Sequence, residues 1–267
     1  MADAPSNRRN PVRTFELLWN LREHSGLGRR AGLSVEQITA AAIEVADADG
    51  MDGLSMRSVA DRLGVGTMSL YRHVSGKEEL LDLMIDRVSA EVRYGEECHG
   101  DWRSRLEQVA RFNRAMFERH PWLLRIFPGR PPQGPGVIGK YDAELRTIEG
   151  IGLTDVEMDS ILALVLGYVR DATANLLAWT TMPERTGQSD DEWWATLAPL
   201  LDRVLDRERY HVAVRVGTSA TEHYKGVHDP EHAFEFGLQR VLDGIESFVL
   251  SGGEGEFPRR GGEVAGR

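Results

Sequence analysis

The sequence carries one cysteine, Cys98, in 267 residues, which excludes an intrachain disulfide and any zinc site built on cysteines. Long apolar runs are missing too. The longest, Ile161 to Val169, is closed by Arg170 and Asp171 and falls short of the roughly 20 residues that span a bilayer. The first residues, Met1-Ala-Asp-Ala-Pro-Ser-Asn-Arg-Arg, have no apolar stretch of the kind that opens a secretory signal. There is no Gly-x-Ser-x-Gly, no phosphate-binding loop and no His-Glu-x-x-His, so an enzyme reading has neither nucleophile nor base to name. His228 and His232 are four apart, but Asp229-Pro230 reads as the cap and first residue of a helix. The pair therefore straddles a helix start, and Glu222, His223, Asp190 and Asp191 read as solvated polar groups. No metal, cofactor, catalytic residue or membrane partner is expected, and the expected compartment is the cytoplasm.

Positive charge is scarce overall: 32 Lys and Arg against 42 Asp and Glu leave a net charge of -10. That argues against a uniformly basic nucleic-acid binder, yet the distribution is uneven. Residues 1–33 hold six arginines and three acids, and Arg62 to Lys77 contains Arg62, Arg72 and Lys77 with no acid at all. A local positive stretch on an acidic protein suits either a compact anion-facing surface or a solvated helix face.

Period-2 alternation is absent, and the apolar spacing is helical almost everywhere, so the chain reads as all-α. Residues 1–33, with Pro5, Pro11, Gly26, Gly28 and Gly32, read as a flexible basic arm, in which Phe15, Leu18 and Trp19 allow a short helix. Ser34 and Gln37 form a capping box that opens a helix closed by Gly50. Ser55 caps a short second helix with Met56, Val59, Ala60 and Leu63 on one face. Gly64-Val65-Gly66 breaks it, and Thr67 starts a third helix reaching about Val74. Ser75 to Glu78 reads as another capping box ahead of a long helix. Further helices are expected near 102–119, 122–127, 139–149, 155–180, 190–206 and 230–250, with loops at 128–136, 182–189 and 217–229. Six glycines between Ser251 and Arg267 mark a disordered tail.

Two short helices joined by a glycine-containing turn, residues 54–77, form a helix-turn-helix whose second helix can enter a major groove. That helix exposes Thr67, Ser69, Tyr71, Arg72 and His73, all able to donate to phosphate or base edges. The run Leu54-Ser-Met-Arg-Ser-Val-Ala-Asp-Arg-Leu-Gly-Val-Gly-Thr-Met-Ser-Leu-Tyr-Arg-His-Val-Ser-Gly-Lys-Glu-Glu-Leu-Leu resembles the DNA-binding domain of the TetR family of transcriptional regulators. The resemblance covers about residues 34–90, and the remaining helices are similar to the tetracycline-repressor-like C-terminal class. It implies a three-helix DNA-binding domain at 34–78, a larger helical ligand-binding and dimerisation domain at 79–250, and a tail at 251–267.

By position the resemblance implies that Arg57 reaches a base edge or nearby backbone, and that Thr67, Met68 and Ser69 face bases. Tyr71, His73 and Lys77 match phosphate contacts, although Tyr71 and His73 also suit packing of the small domain. Arg29 and Arg30, following Arg8, Arg9, Arg13 and Arg22, fit either a minor-groove arm or a solvated tail. The family places two helices of each subunit in a homodimer interface, here 155–180 and 230–250, with Val241, Leu242, Ile245 and Phe248 on the apolar stripe of the last.

A mixture of Asn113, Trp122, Phe127, Tyr141, Tyr168, Asp171, Asn175 and Trp179 suits an apolar ligand cavity with a few orienting polar groups, though each also suits core packing. Tetracycline repressors hold a drug-bound magnesium through a histidine where this chain has Phe127, with Val109 and Asn113 at other drug-contact positions. That departure speaks against tetracycline and magnesium. The expected function is a homodimeric repressor, released from palindromic operator DNA by a small, largely apolar effector. The alternatives are a helical binding or enzymatic protein whose N-terminal helices only pack, and a nonspecific architectural DNA binder.

Overall fold

A computed structural model describes residues 10–21, 33–92, 100–126 and 130–252, and among these every regular element is a helix. The order is α1 (Pro11–Leu18), α2 (Val35–Gly53), α3 (Met56–Leu63), α4 (Thr67–Tyr71), α5 (Lys77–Ser89), α6 (Trp102–Arg119), a 3-10 turn (Pro121–Arg125) and α7 (Pro135–Arg146). Then come α8 (Asp155–Thr180), α9 (Met182–Thr186), α10 (Asp190–Val204), α11 (His211–Tyr224) and α12 (Pro230–Leu250).

Local sequence sets most of these boundaries. Reciprocal side-chain caps start α2 at Ser34/Gln37, α3 at Ser55/Ser58 and α8 at Thr154/Glu157, each satisfying amides that a helix start leaves without partners. Gly50, at φ 68°, interrupts α2 before its last turn. Gly64 ends α3 in the left-handed region, at φ 68°, where a side chain would be strained. This makes the sharp turn between α3 and α4.

One continuous apolar core runs through the subunit. Ile38, Ala42, Val45, Val59, Leu70 and Val74 close the small N-terminal domain, and α6, α8 and α12 stack as the body, with Leu106, Leu162, Val165, Phe234, Leu238 and Leu242 between them. α8 is long and apolar enough to cross a membrane by length and composition. It lies against α6, α7 and α12 with Ile161, Leu162, Val165 and Val169 buried.

Several expectations are corrected. Within residues 1–33 the short helix allowed by Phe15 and Leu18 forms as α1, capped by Asn10, and it is docked rather than free, with Thr14 and Leu18 buried against α5. The Ser75 capping box does not form. The N-cap of α5 is Gly76, and the Glu79 carboxylate accepts from the Ser75 amide at 2.6 Å instead. α4 ends at Tyr71, the segment 121–125 is a 3-10 turn, and α7 starts at Pro135 rather than 139. Within the expected loops lie α9 and most of α11. Not one residue of α9, α10 or α11 is buried.

Candidate nucleic-acid interface and effector cavity

Helix α3 packs on α2 and α4 packs on α3, so that Leu70, with Val74 just beyond α4, points inward and the opposite face of α4 is exposed. Met68 is 72% exposed, Tyr71 and Arg72 are exposed, and Thr67, Ser69 and His73 are half-buried. Arg57 stands out from the start of α3, only loosely paired with Asp61 at 3.9 Å. Apart from Lys77, the described residues expected to meet DNA therefore lie on α4, on the turn after it or at the start of α3. Arg29 and Arg30 lie outside the described residues.

Lys77 has a different setting from the one expected. Its Nζ donates to the Leu54 carbonyl at 2.6 Å and the Met51 carbonyl at 3.2 Å. The ammonium thus satisfies acceptors left open where α2 ends, and it ties the start of α5 to the α2–α3 turn. Arg62, in the same acid-free stretch, donates to Glu44 at 2.8 Å.

Beneath this domain, a cavity of 380 Å³ opens between α5, α6, α7, α8 and the 3-10 turn. Its wall is mostly apolar, with Ile85, Met116, Phe117, Leu123, Val137 and Leu166. One side carries a buried polar chain. Asn113 donates from Nδ2 to Glu144 Oε1 at 2.7 Å, and Lys140 donates to the same oxygen at 2.5 Å. The guanidinium of Arg170 donates to the carbonyls of Leu124 and Ile126, and burial pulls its pKa below the usual guanidinium range. Tyr141 also lines the cavity and donates to Asp159 at 2.7 Å, an interaction that pushes its phenol up. Such a wall takes an apolar molecule and orients it with few polar groups.

The expected ligand residues do not converge on this cavity. Of them, Asn113 and Tyr141 line it. Tyr168, Asp171, Asn175 and Trp179 line a second cavity of 540 Å³, between the C-terminal half of α8 and the start of α12. Val109 is fully buried core. Trp122 is 2% exposed and donates to Asp47 at 2.7 Å, so it packs the junction between α2 and the body. Phe127 lies outside the described residues. An i,i+4 Lys–Glu pair on a helix ordinarily marks a solvated face, so Lys140 and Glu144 carry no signal in the sequence, and the carbonyl partners of Arg170 come near it only through packing.

The same junction holds His120, 4% exposed. Its ring nitrogens lie 2.8 Å from Asp47 Oδ1 and 3.2 Å from Glu91 Oε2. His228 packs edge-on against Trp179, and His232 sits among the rings of His223, Tyr224 and Phe236. Among the described residues no group of three His, Cys, Asp or Glu side chains is placed to hold a metal.

A helix-turn-helix with an outward second helix, set on a helical body that carries an apolar cavity, is the architecture of a DNA-binding regulator. The chain matches the family model described as "Bacterial regulatory proteins, tetR family" over residues 38–84, and "Tetracyclin repressor-like, C-terminal domain" over residues 94–249. It is 43% identical over 239 residues to the HTH-type transcriptional repressor DrrR1 of Streptomyces coeruleorubidus, covering 89% of this chain and 86% of that one. It is 28% identical over 231 residues to the tetracycline repressor protein class A from transposon 1721 of Escherichia coli, covering 86% and 98%. Among solved structures, the Streptomyces coelicolor TetR family protein ActR in complex with actinorhodin superposes with a TM-score of 0.67, at 28% identity, over 88% of this chain and all of that one. The chain belongs to the TetR family, and it is a ligand-responsive, DNA-binding transcriptional repressor.

Proposed function

We propose that this repressor works as a homodimer on a palindromic operator and is released by a small, largely apolar effector held in the 380 Å³ cavity. The observation that carries this reading is the course of α5. Its N-terminus follows directly on the recognition helix α4, while Ile85 and Ser89 near its C-terminus line the cavity. A molecule filling the cavity presses on the helix that carries the DNA reader. Two recognition helices about 34–36 Å apart match successive major grooves, so a small pivot of α5 in each subunit lowers operator affinity.

In this reading Arg57, Thr67, Met68, Ser69, Tyr71, Arg72 and His73 face the duplex, while Asn113, Lys140, Tyr141 and Glu144 orient the effector. The regulator acts in the cytoplasm, by binding and not by catalysis. Support for a dimer comes from apolar surface that one subunit leaves open. Leu164 is 54% exposed beside the groove between α8 and α12, and α10 and α11 expose Trp193, Leu200, Val212 and Val216.

Selection of duplexes from a random pool, followed by footprinting and release trials with apolar compounds, tests the proposal. The expected result is a two-fold symmetric site and release by at least one compound class. Binding without sequence preference would instead indicate the architectural alternative.

A further inference from the structure

α1 lies outside both regions of family similarity, which span residues 38–84 and 94–249. Its sequence suggested arginines for a DNA groove. The structure turns Arg13 the other way. Its Nε donates to both oxygens of Glu79, at 3.1 and 3.3 Å, and one terminal nitrogen donates to the His73 carbonyl at 3.1 Å. The Glu79 carboxylate is 4% exposed and also accepts from the Ser75 amide. Arg13 and Glu79 together therefore fasten residues 73–75, the turn through which the recognition helix passes into α5. At its other end, the indole of Trp19 donates to the Gln133 carbonyl at 2.8 Å. Gln133 lies just ahead of α7, which carries Lys140, Tyr141 and Glu144 on the cavity wall. Leu18 and Thr14 are buried between these two anchors.

We infer that α1 is a strut joining the exit of the recognition helix to the entrance of α7, and that Arg13 is a positioning residue for operator recognition. It touches no DNA. Instead it holds the orientation of α4 on α5, so its contribution belongs to the specific complex and not to general attraction for phosphate. The inference rests on α4 being the DNA reader.

Charge and position can be separated through Glu79. A direct electrostatic role predicts that Glu79→Gln, which removes a negative charge near the reader, leaves binding unchanged or tightens it. A positioning role predicts that it weakens operator binding, as Arg13→Ala does.

The experiment uses the full chain and an operator selected with the unaltered protein. Arg13→Ala and Glu79→Gln are each expected to lower operator affinity about tenfold, the loss of one charge-assisted contact. Affinity for random duplex, secondary structure and oligomeric state should stay unchanged. Arg13→Lys, which keeps a donor for one of the two acceptors, should fall between. Hydrogen exchange should rise in residues 72–77 for Arg13→Ala and in residues 132–138 for Trp19→Phe. Arg13 is partly exposed, so its replacement leaves the core intact and carries the test if Glu79→Gln does not fold. Unchanged operator affinity in Arg13→Ala, or equal losses on operator and random duplex, would overturn the inference. Failure of the unaltered protein to select any sequence would strike the DNA-reader assignment instead.

Discussion

Lys77 shows how packing gives a single residue partners that its neighbours in the chain do not suggest. In the linear sequence it closes an acid-free stretch and suggests a phosphate contact. In the fold its ammonium serves the carbonyls of Met51 and Leu54, which no helix bond satisfies. Lys77→Ala is therefore expected to lower stability by about 1–2 kcal/mol, as a charged hydrogen bond is lost, measured by denaturant unfolding. Arg72→Ala, at an exposed position, should leave stability unchanged and reduce the salt dependence of DNA binding by about one unit. Caps such as Ser34, Ser55 and Thr154 were legible because donor and acceptor lie three residues apart in the chain. Lys77 and Arg13 were not, since their partners are brought near only by packing: Leu54 lies well before Lys77 in the chain, and Glu79 well after Arg13.

Among the elements, long helices with a strong apolar stripe were read correctly, and α6, α8 and α12 have the expected limits. α11 was missed because it carries Gly217, Thr218, Ser219 and several valines, all weak helix formers, and buries nothing that would mark a face. The apolar stripe of α12 was legible, but how it divides between core and surface was not. Ile245 is 3% exposed and Leu242 fully buried within the subunit, whereas Leu164 on α8 points outward. Ile245→Glu should consequently unfold the subunit, since an unpartnered buried carboxylate costs several kcal/mol. Leu164→Glu should yield folded monomers. Sedimentation with circular dichroism distinguishes these outcomes, and a native-size dimer from Leu164→Glu would remove this face from the interface.

α6 and α12 are also joined by a ladder of ion pairs, Arg103 with Asp243 and Glu246, Arg111 with Glu235, and Arg114 with Glu231. Hydrogen bonds from these arginines hold Glu231, Glu235 and Asp243 below the usual carboxylate range. Groups depressed in the folded state add stability above their unfolded pKa and lose it as pH falls through the folded value. Asp86 runs the opposite way. Burial raises its carboxyl despite amide bonds from Val137 and Gly136, so what it adds is present at low pH and lost as pH rises through its folded value. With more depressed groups than raised ones, the thermal midpoint should fall on acidification from about pH 6 to pH 3. The fall should be shallower in an Arg111→Gln, Arg114→Gln variant, as followed by thermal scans across that range.

For the whole molecule, the decisive feature is how closely the two domains are coupled. His120, Asp47, Glu91 and Trp122 bind α2 to the body, and α5 runs from reader to cavity. On its far side α5 meets α7 backbone to backbone. A Cβ at Gly136 would stand 1.9 Å from the Asp86 carbonyl oxygen, and Asp86 Oδ1 accepts from the Val137 amide at 2.9 Å. Two such parts mesh without play: α7 cannot travel toward α5 by compressing anything between them, so any push on one becomes travel of the other. A methyl group at Gly136 would act as a permanent wedge in that joint. Gly136→Ala should thus behave as a repressor already switched off, folded and dimeric, with weakened operator binding in the absence of any effector. A binding titration beside the unaltered protein measures it. Tight operator binding by Gly136→Ala would mean that the switch turns on some other joint.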